Sequence, residues 1–304
     1  GATTGDLMHY LQNKGYDCYS ASVGPLNSAW DRACELYAQL MGVTVDYGVA
    51  HSAKFNHERF GRTYYQPLIP NWGELDENGK LQQIHLIGHS FGGTTIRMLV
   101  QLLTEGSPEE MAATDPEDIS GLFTGGKGDW VKSVTTICTP HNSSSIYYPI
   151  VYLGLADLVQ FVSYAYAGIM GRSRFNVGSV RCVSETGSIF NGGLVDFHLE
   201  QFGLTEIPGV GSADPYFKAL RRVLANRQDS CQYDLTPEGS MKVNKKLDIN
   251  DDIYYFSYAF STTKEVPLIG TQVPSIKTNP VIAPLAFVMG FLQFTDPING
   301  TVYD

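Results

Sequence analysis

Closely spaced cysteines are the first thing this chain lacks. Its five, Cys18, Cys34, Cys138, Cys182 and Cys231, lie far apart with no C-x-x-C. That spacing excludes a zinc ribbon and a thioredoxin-type motif, and it leaves room for one bridge with at least one thiol over. Basic clusters are missing as well. With a net charge of −10 and a pI near 5.1, nothing is available to neutralise phosphates, which excludes a nucleic-acid partner and charge-driven binding to an anionic membrane. The first residues, from Gly1, have neither the basic start nor the apolar run of a signal peptide, so the compartment cannot be read from them. One apolar run stands out. Ile146 to Met170 is long enough to cross a bilayer and carries a single charge, Asp157, but its five tyrosines, Gln160 and Ser163 argue against a transmembrane segment. Internal repeats, disorder signatures and interdomain linkers are absent, and 43% apolar residues among 304 suffice for one core.

What the chain does contain is organised around Gly88-His89-Ser90-Phe91-Gly92. Ile84 to Ile87 is a short apolar run suited to a buried parallel strand, while Ile96, Leu99, Val100 and Leu103 recur at helical spacing. With 31 glycines in the chain, a bare G-x-S-x-G arises easily by chance, so the weight falls on the flanks. Strand, sharp turn and helix together predict a nucleophile elbow, with Ser90 held at strained backbone angles and its hydroxyl raised above the sheet.

Taken in order, Asp6 to Lys14 reads as a helix stopped by Gly15, and Tyr16 to Val23 as a strand ended by Gly24-Pro25. A second helix starts near Ser28, buries Trp30, Ala33, Cys34, Tyr37 and Met41, and ends at Gly42. Residues 43–72 show no sustained period. Asn78-Gly79 is a turn leading to the elbow strand, and Ser133 to Cys138 is the next buried strand. Asp214-Pro215 and Thr236-Pro237 each open a helix, and Ile253 to Ser261 is rich in strand formers. Strands alternating with helices specify an α/β fold, a parallel sheet with helices on both faces, with the chemistry at its carboxyl edge.

With these residues in hand, the chain resembles the zinc-containing thermoalkalophilic bacterial lipases and, more distantly, the staphylococcal type, both of the α/β-hydrolase fold. The resemblance extends from about Gly5 to Ser261. It is carried by Val23-Gly24-Pro25-Leu26, Trp30-Asp31-Arg32-Ala33-Cys34, Val45-Asp46-Tyr47-Gly48, Ala50-His51, Arg59-Phe60-Gly61-Arg62-Thr63-Tyr64, the elbow, Thr139-Pro140-His141, Asp196-Phe197 and Tyr233-Asp234-Leu235. The elbow departs from the family in having Phe91 where glutamine often stands, a change that leaves a backbone amide available to an oxyanion.

The resemblance implies a structural zinc on two aspartates and two histidines, and the matching positions here are Asp31, His51, His57 and Asp234. Two imidazoles and two carboxylates suit a closed tetrahedral Zn(II), a brace and not a catalyst. Each residue also has a plainer reading: Asp31 as part of a helix cap, His51 and His57 as loop polar groups, Asp234 as a turn former. The same resemblance makes 43–72 a zinc-binding insertion and 142–232 a lid or cap region of a single domain, 1–304. The apolar stretch from Ile146 to Gly171 would then lie over Ser90 and respond to an oil–water interface; a buried cap helix that never moves is the alternative.

The activity implied is a serine carboxylic-ester hydrolase, a lipase acting on lipid esters through an acyl-Ser90 intermediate with the Phe91 amide as an oxyanion donor. Its relatives are secreted, so an extracellular location follows by resemblance alone, and calcium in the full-length protein is left open. The family's acid and histidine motifs, an Asn-Asp-Gly and an Asp-His, do not occur after Ser90. His141 and His198 come too early along the chain to serve as base in this fold, and Asp296 has the wrong context for the acid. Both observations, with the lack of an opening strand and His-Gly, point to a fragment cut at both ends and inactive as it stands. Two other readings remain: a non-catalytic zinc-braced binding module, and a hydrolase of polyesters or short esters.

Overall fold

The computed structural model describes residues 7–144, 198–203, 222, 228–267 and 271–278, with isolated positions between 283 and 303. The lid stretch and the helix expected at Asp214-Pro215 lie outside the described residues, as do Asp196-Phe197 and Asp296.

The first helix, α1, runs Leu7–Asn13. Helix α2, Ala29–Met41, starts where Ser28 accepts the Asp31 amide and ends at Gly42, whose φ of 70° is the left-handed geometry that glycine adopts without strain. Ala33, Cys34, Tyr37 and Leu40 are buried, while Trp30 and Met41 are partly covered.

Residues 43–72, which carry no readable period, form three pieces too short to display one. Strands β1, Thr44–Asp46, and β2, Phe60–Thr63, pair antiparallel across an irregular register, and helix α3, Val49–Phe55, lies between them.

The main sheet is parallel, in the order β3 (Ile84–His89), β4 (Val131–Ile137), β5 (Tyr254–Tyr258). Leu86 sits opposite Val134, and Val134 opposite Tyr255, so these three point to one face. Helix α4, Phe91–Glu105, covers that face and packs against α2. Ile96, Leu99, Val100 and Leu103, the stripe read from the sequence, are all buried there. The alternate residues Ile87, Tyr254, Phe256 and Tyr258 are exposed among the described residues. Helix α5, Pro108–Ala113, capped by Ser107, follows α4. Two helices precede β5: α6, Cys231–Asp234, and α7, Pro237–Asn244, the latter capped by Thr236. Two small antiparallel strand pairs are also described, β6 with β7 (Thr263–Glu265, Gln272–Pro274) and β8 with β9 (Phe294–Thr295, Val302–Tyr303).

The segment Tyr16 to Val23 is not a strand. No described strand pairs with it; instead the Ser22 amide and carbonyl are both taken by the Gln39 side chain. A cavity of about 610 Å³ separates residues 17–21 from β3. Backbone groups without a neighbouring ladder are satisfied by side chains or water, and no sheet forms. The four described cysteines, Cys18, Cys34, Cys138 and Cys231, are all free thiols.

Candidate active site and metal centre

Ser90 occupies the single residue between the end of β3 and the start of α4, at φ 54° and ψ −132°. A side chain at positive φ is strained, and this one is exposed. Its amide is tied to Ile137 O at 2.9 Å and its carbonyl receives Gly93 N–H at 3.0 Å, so both neighbouring elements hold the corner. The close approach depends on Gly88 and Gly93. A Cβ on Gly88 would meet Gly92 O at 2.5 Å, and one on Gly93 would meet Thr139 Oγ1 at 1.9 Å, whereas Gly92 has open space. Phe91 opens α4, where the first amides have no acceptor within the helix; its ring is buried.

Among the described residues no imidazole is bonded to the Ser90 hydroxyl. His141 Nε2 lies 3.2 Å from Thr136 Oγ1 and its Nδ1 3.5 Å from Arg97 Nη1, and burial together with Arg97 pulls its pKa down. His198 is buried, with Nδ1 3.3 Å from Glu35 Oε2.

The second constellation is assembled from four separate stretches. Asp31 is on the first turn of α2, His51 on α3, His57 just after α3, and Asp229 two residues before α6. Their ligand atoms all lie within 4.8 Å of one another. His51 Nε2 is 3.0 Å from Asp31 Oδ1 and 3.3 Å from Asp229 Oδ1; His57 Nε2 is 4.0 Å from Asp31 Oδ1 and 3.3 Å from Asp229 Oδ2. Neither His57 Nε2 nor Asp229 Oδ2 forms a well-aligned hydrogen bond, although both are buried. Edges of roughly 3.3–3.5 Å are what a tetrahedral ion with bonds near 2.0–2.2 Å requires, so the donor set fits a closed metal site. His57 Nδ1 faces Glu58 O at 2.8 Å, which turns the other nitrogen inward, and Gln201 Nε2 reaches Asp31 Oδ2 at 3.3 Å.

The electrostatics are those of two imidazoles and two carboxylates facing one another. Burial pulls the His51 imidazole down, but its bonds to Asp229 and Asp31 outweigh that and hold it up at about 9. Burial works against Asp229 ionising, yet His51 and His57 keep its carboxyl below the usual range. Asp31 is raised by burial and by the Asp229 charge.

A family model described as lipase-like, C-terminal domain, matches residues 1–290. The chain belongs to this lipase-like family. Lipase 2 of Staphylococcus aureus is 34% identical over 286 residues, which is 93% of this chain and 37% of the relative. The lipase of Staphylococcus hyicus is 34% identical over 270 residues, 88% of this chain and 38% of the relative. This lipase-like chain therefore spans little more than a third of the curated relatives it matches. Among solved structures, EstA from Clostridium botulinum superposes with a TM-score of 0.73 at 37% identity, over 98% of this chain and 64% of that one. The crystal structure of Staphylococcus hyicus lipase gives 0.74 at 32% identity, over 95% and 68%. The staphylococcal resemblance and the α/β-hydrolase class stand on these similarities.

One residue expected in the metal site from the sequence does not join this cluster. Asp31, His51 and His57 come together as anticipated, but the fourth carboxylate is Asp229 and not Asp234. Asp234 Oδ2 accepts the Ala29 amide at 2.7 Å, closing the N-terminus of α2, and burial pushes its carboxyl up to about 7. In this lipase-like chain both acids lie in Asp229-Ser230-Cys231-Gln232-Tyr233-Asp234. Helix α6 turns the second toward α2, and the extended backbone at Ser230 before it leaves the first facing the histidines. The clue in the sequence was Ser230, a good N-cap, which puts Asp229 outside the helix.

Proposed function

We propose that the protein is a lipase, a serine carboxylic-ester hydrolase in which Ser90 attacks the carbonyl carbon of a lipid ester. The ester's alcohol leaves with a proton, an acyl-Ser90 remains, and water releases the acid. The Phe91 amide is one donor to the oxyanion, and the attack requires a general base oriented by a carboxylate. The observation that carries this reading is the exposed serine at φ 54° between a parallel strand and its helix. The test is labelling with a fluorophosphonate, followed by peptide mass mapping. Modification at Ser90, lost in Ser90→Ala, supports the hydrolase; modification elsewhere, or equal labelling of the variant, sinks it.

The metal we assign is zinc, with Asp31, His51, His57 and Asp229 as its holders. Four protein ligands leave no open position, so the ion ties α2, α3 and the stretch before α6 together and takes no part in ester chemistry. Substrate is a lipid ester met at an oil–water interface, and the protein acts outside the cell; family resemblance supports both. No described helix is long and apolar enough to cross a membrane.

A second reading, a metal-braced binding module without turnover, has one observation in its favour: His141 and His198 are both engaged away from Ser90. Hydrolysis of triacylglycerol and of short soluble esters by the whole polypeptide separates the two readings and also distinguishes lipase from short-ester hydrolase.

A further inference from the structure

Glu110 lies on α5, is not one of the four clustered residues, and is almost wholly buried, at 1% exposure. It begins as half of a familiar device. Ser107 caps α5 by accepting the Glu110 amide, the Ser-x-x-Glu arrangement in which the glutamate ordinarily reaches back to the serine's own N–H. Here that N–H is already given to Phe123 O. The Glu110 carboxylate turns toward α3 instead and caps that helix. Its Oε2 accepts Ala50 N–H at 2.9 Å and its Oε1 accepts His51 N–H at 2.7 Å, both in the first turn of α3.

Helix α3 needs this service because its N-cap is Gly48, which has no side chain to offer. Gly48 is also the residue that makes the service possible. It sits at φ 95°, and a Cβ there would fall 2.3 Å from the Glu110 Cδ. Asp46, held by Arg59 Nε and Nη2 at 3.0 and 2.8 Å, accepts the Gly48 amide and fixes the turn from the other side. The imidazole of His51 is meanwhile clamped by rings, stacked on Trp30 at 5.0 Å and 11° and set against Phe55 at 4.8 Å. The rings restrict its tilt. The hydrogen bond from its backbone amide to Glu110 holds the end from which it projects toward Asp31 and Asp229.

We propose that Glu110 is a positioning residue for the metal centre: its carboxylate, gripping the amides of Ala50 and His51, places the His51 imidazole for ligation. This rests on the metal reading above. Groups that orient a ligand carry about 10–100-fold of metal affinity.

The test uses the full chain, stripped of metal, with Zn(II) affinity measured by competition against a chromophoric chelator and the Co(II)-substituted protein followed by its visible spectrum. Glu110→Gln is expected to weaken Zn(II) binding by about tenfold or more and to shift the tetrahedral Co(II) bands. In a His51→Ala background the same substitution is expected to change affinity by less than about twofold, because the ligand through which it acts is gone. Glu110→Asp keeps the charge but is too short to reach both amides, so it is expected to lose affinity too, and it carries the test if Glu110→Gln does not fold. Wild-type affinity in both substitutions, or an equal loss with and without His51, overturns the proposal. Wild-type chain that takes up no metal overturns the metal reading instead.

Discussion

Arg32 lays its guanidinium over the ring of Phe91, with the central carbon 4.9 Å from the ring centroid. The residue before it, Asp31, belongs to the Asp–His cluster that could hold a metal, and the residue before Phe91 is Ser90. Two consecutive positions on the first turn of α2 thus touch both centres. A cation stacked on an aromatic face contributes about 0.5–2 kcal/mol depending on its desolvation, and Arg32 is part-buried. Arg32→Ala is expected to cost about 2–3 kcal/mol in urea unfolding, since packing of the side-chain stem is lost as well, and to slow fluorophosphonate labelling of Ser90. Arg32→Lys is expected to recover part of both.

The two acids flanking α6 are expected to behave differently. Asp229→Asn should abolish stoichiometric metal on elemental analysis. Asp234→Ala should keep the metal and lose about 1–2 kcal/mol, the usual consequence of removing a helix cap. Loss of metal in the second variant alone would return Asp234 to the ligand set.

Metal removal has a calculable consequence. An ion bound by the folded state alone, at a thousand times its dissociation constant, stabilises by about 4 kcal/mol. Chelation of the purified protein is therefore expected to lower its melting temperature by several degrees or more, and added Zn(II) to restore it. A metal-free protein with unchanged melting behaviour would count against the centre.

Glu35 gives the fold a pH dependence of its own. Burial pushes its carboxyl up to about 8, against the pull of the Gly24 amide and Asn27. A carboxyl that keeps its proton longer when folded is protonated in the native state over a range where the unfolded chain has already released it. The folded state then binds more protons between about pH 4.5 and 8, so stability falls as pH rises through that window and levels off above it. Glu35→Gln lacks this proton exchange. Its stability relative to wild type is expected to improve by a few kcal/mol between pH 5 and 8.5, as read by urea titration at each pH.

The glycines of the elbow are not equivalent. Gly93→Ala is expected to destabilise by about 1–3 kcal/mol, because the new methyl collides with Thr139 in a packed crossing. Gly92→Ala meets no atom within 4 Å, and in a helix alanine is favoured over glycine by about 1 kcal/mol. That variant is expected to be neutral or slightly more stable on thermal melting.

Residue order alone determined whatever depends on neighbours along the chain. The apolar stripe of α4, the Ser28 and Thr236 caps, the glycine stop at Gly42 and the turn at Ser90 are all local, set by backbone torsions and by side chains three or four positions apart. Tertiary structure decided whatever depends on a partner far away in the chain. Tyr16 to Val23 has strand composition, but a strand needs a neighbour, and the described fold supplies Gln39 in place of one. Asp229 and Asp234 are chemically identical and five residues apart; which one meets two histidines more than 170 positions upstream was settled by the direction of α6. Glu110 was invisible for the same reason. Its acceptors face amides 59 and 60 residues away, and no pattern of nearest neighbours encodes a contact made only once the chain has folded.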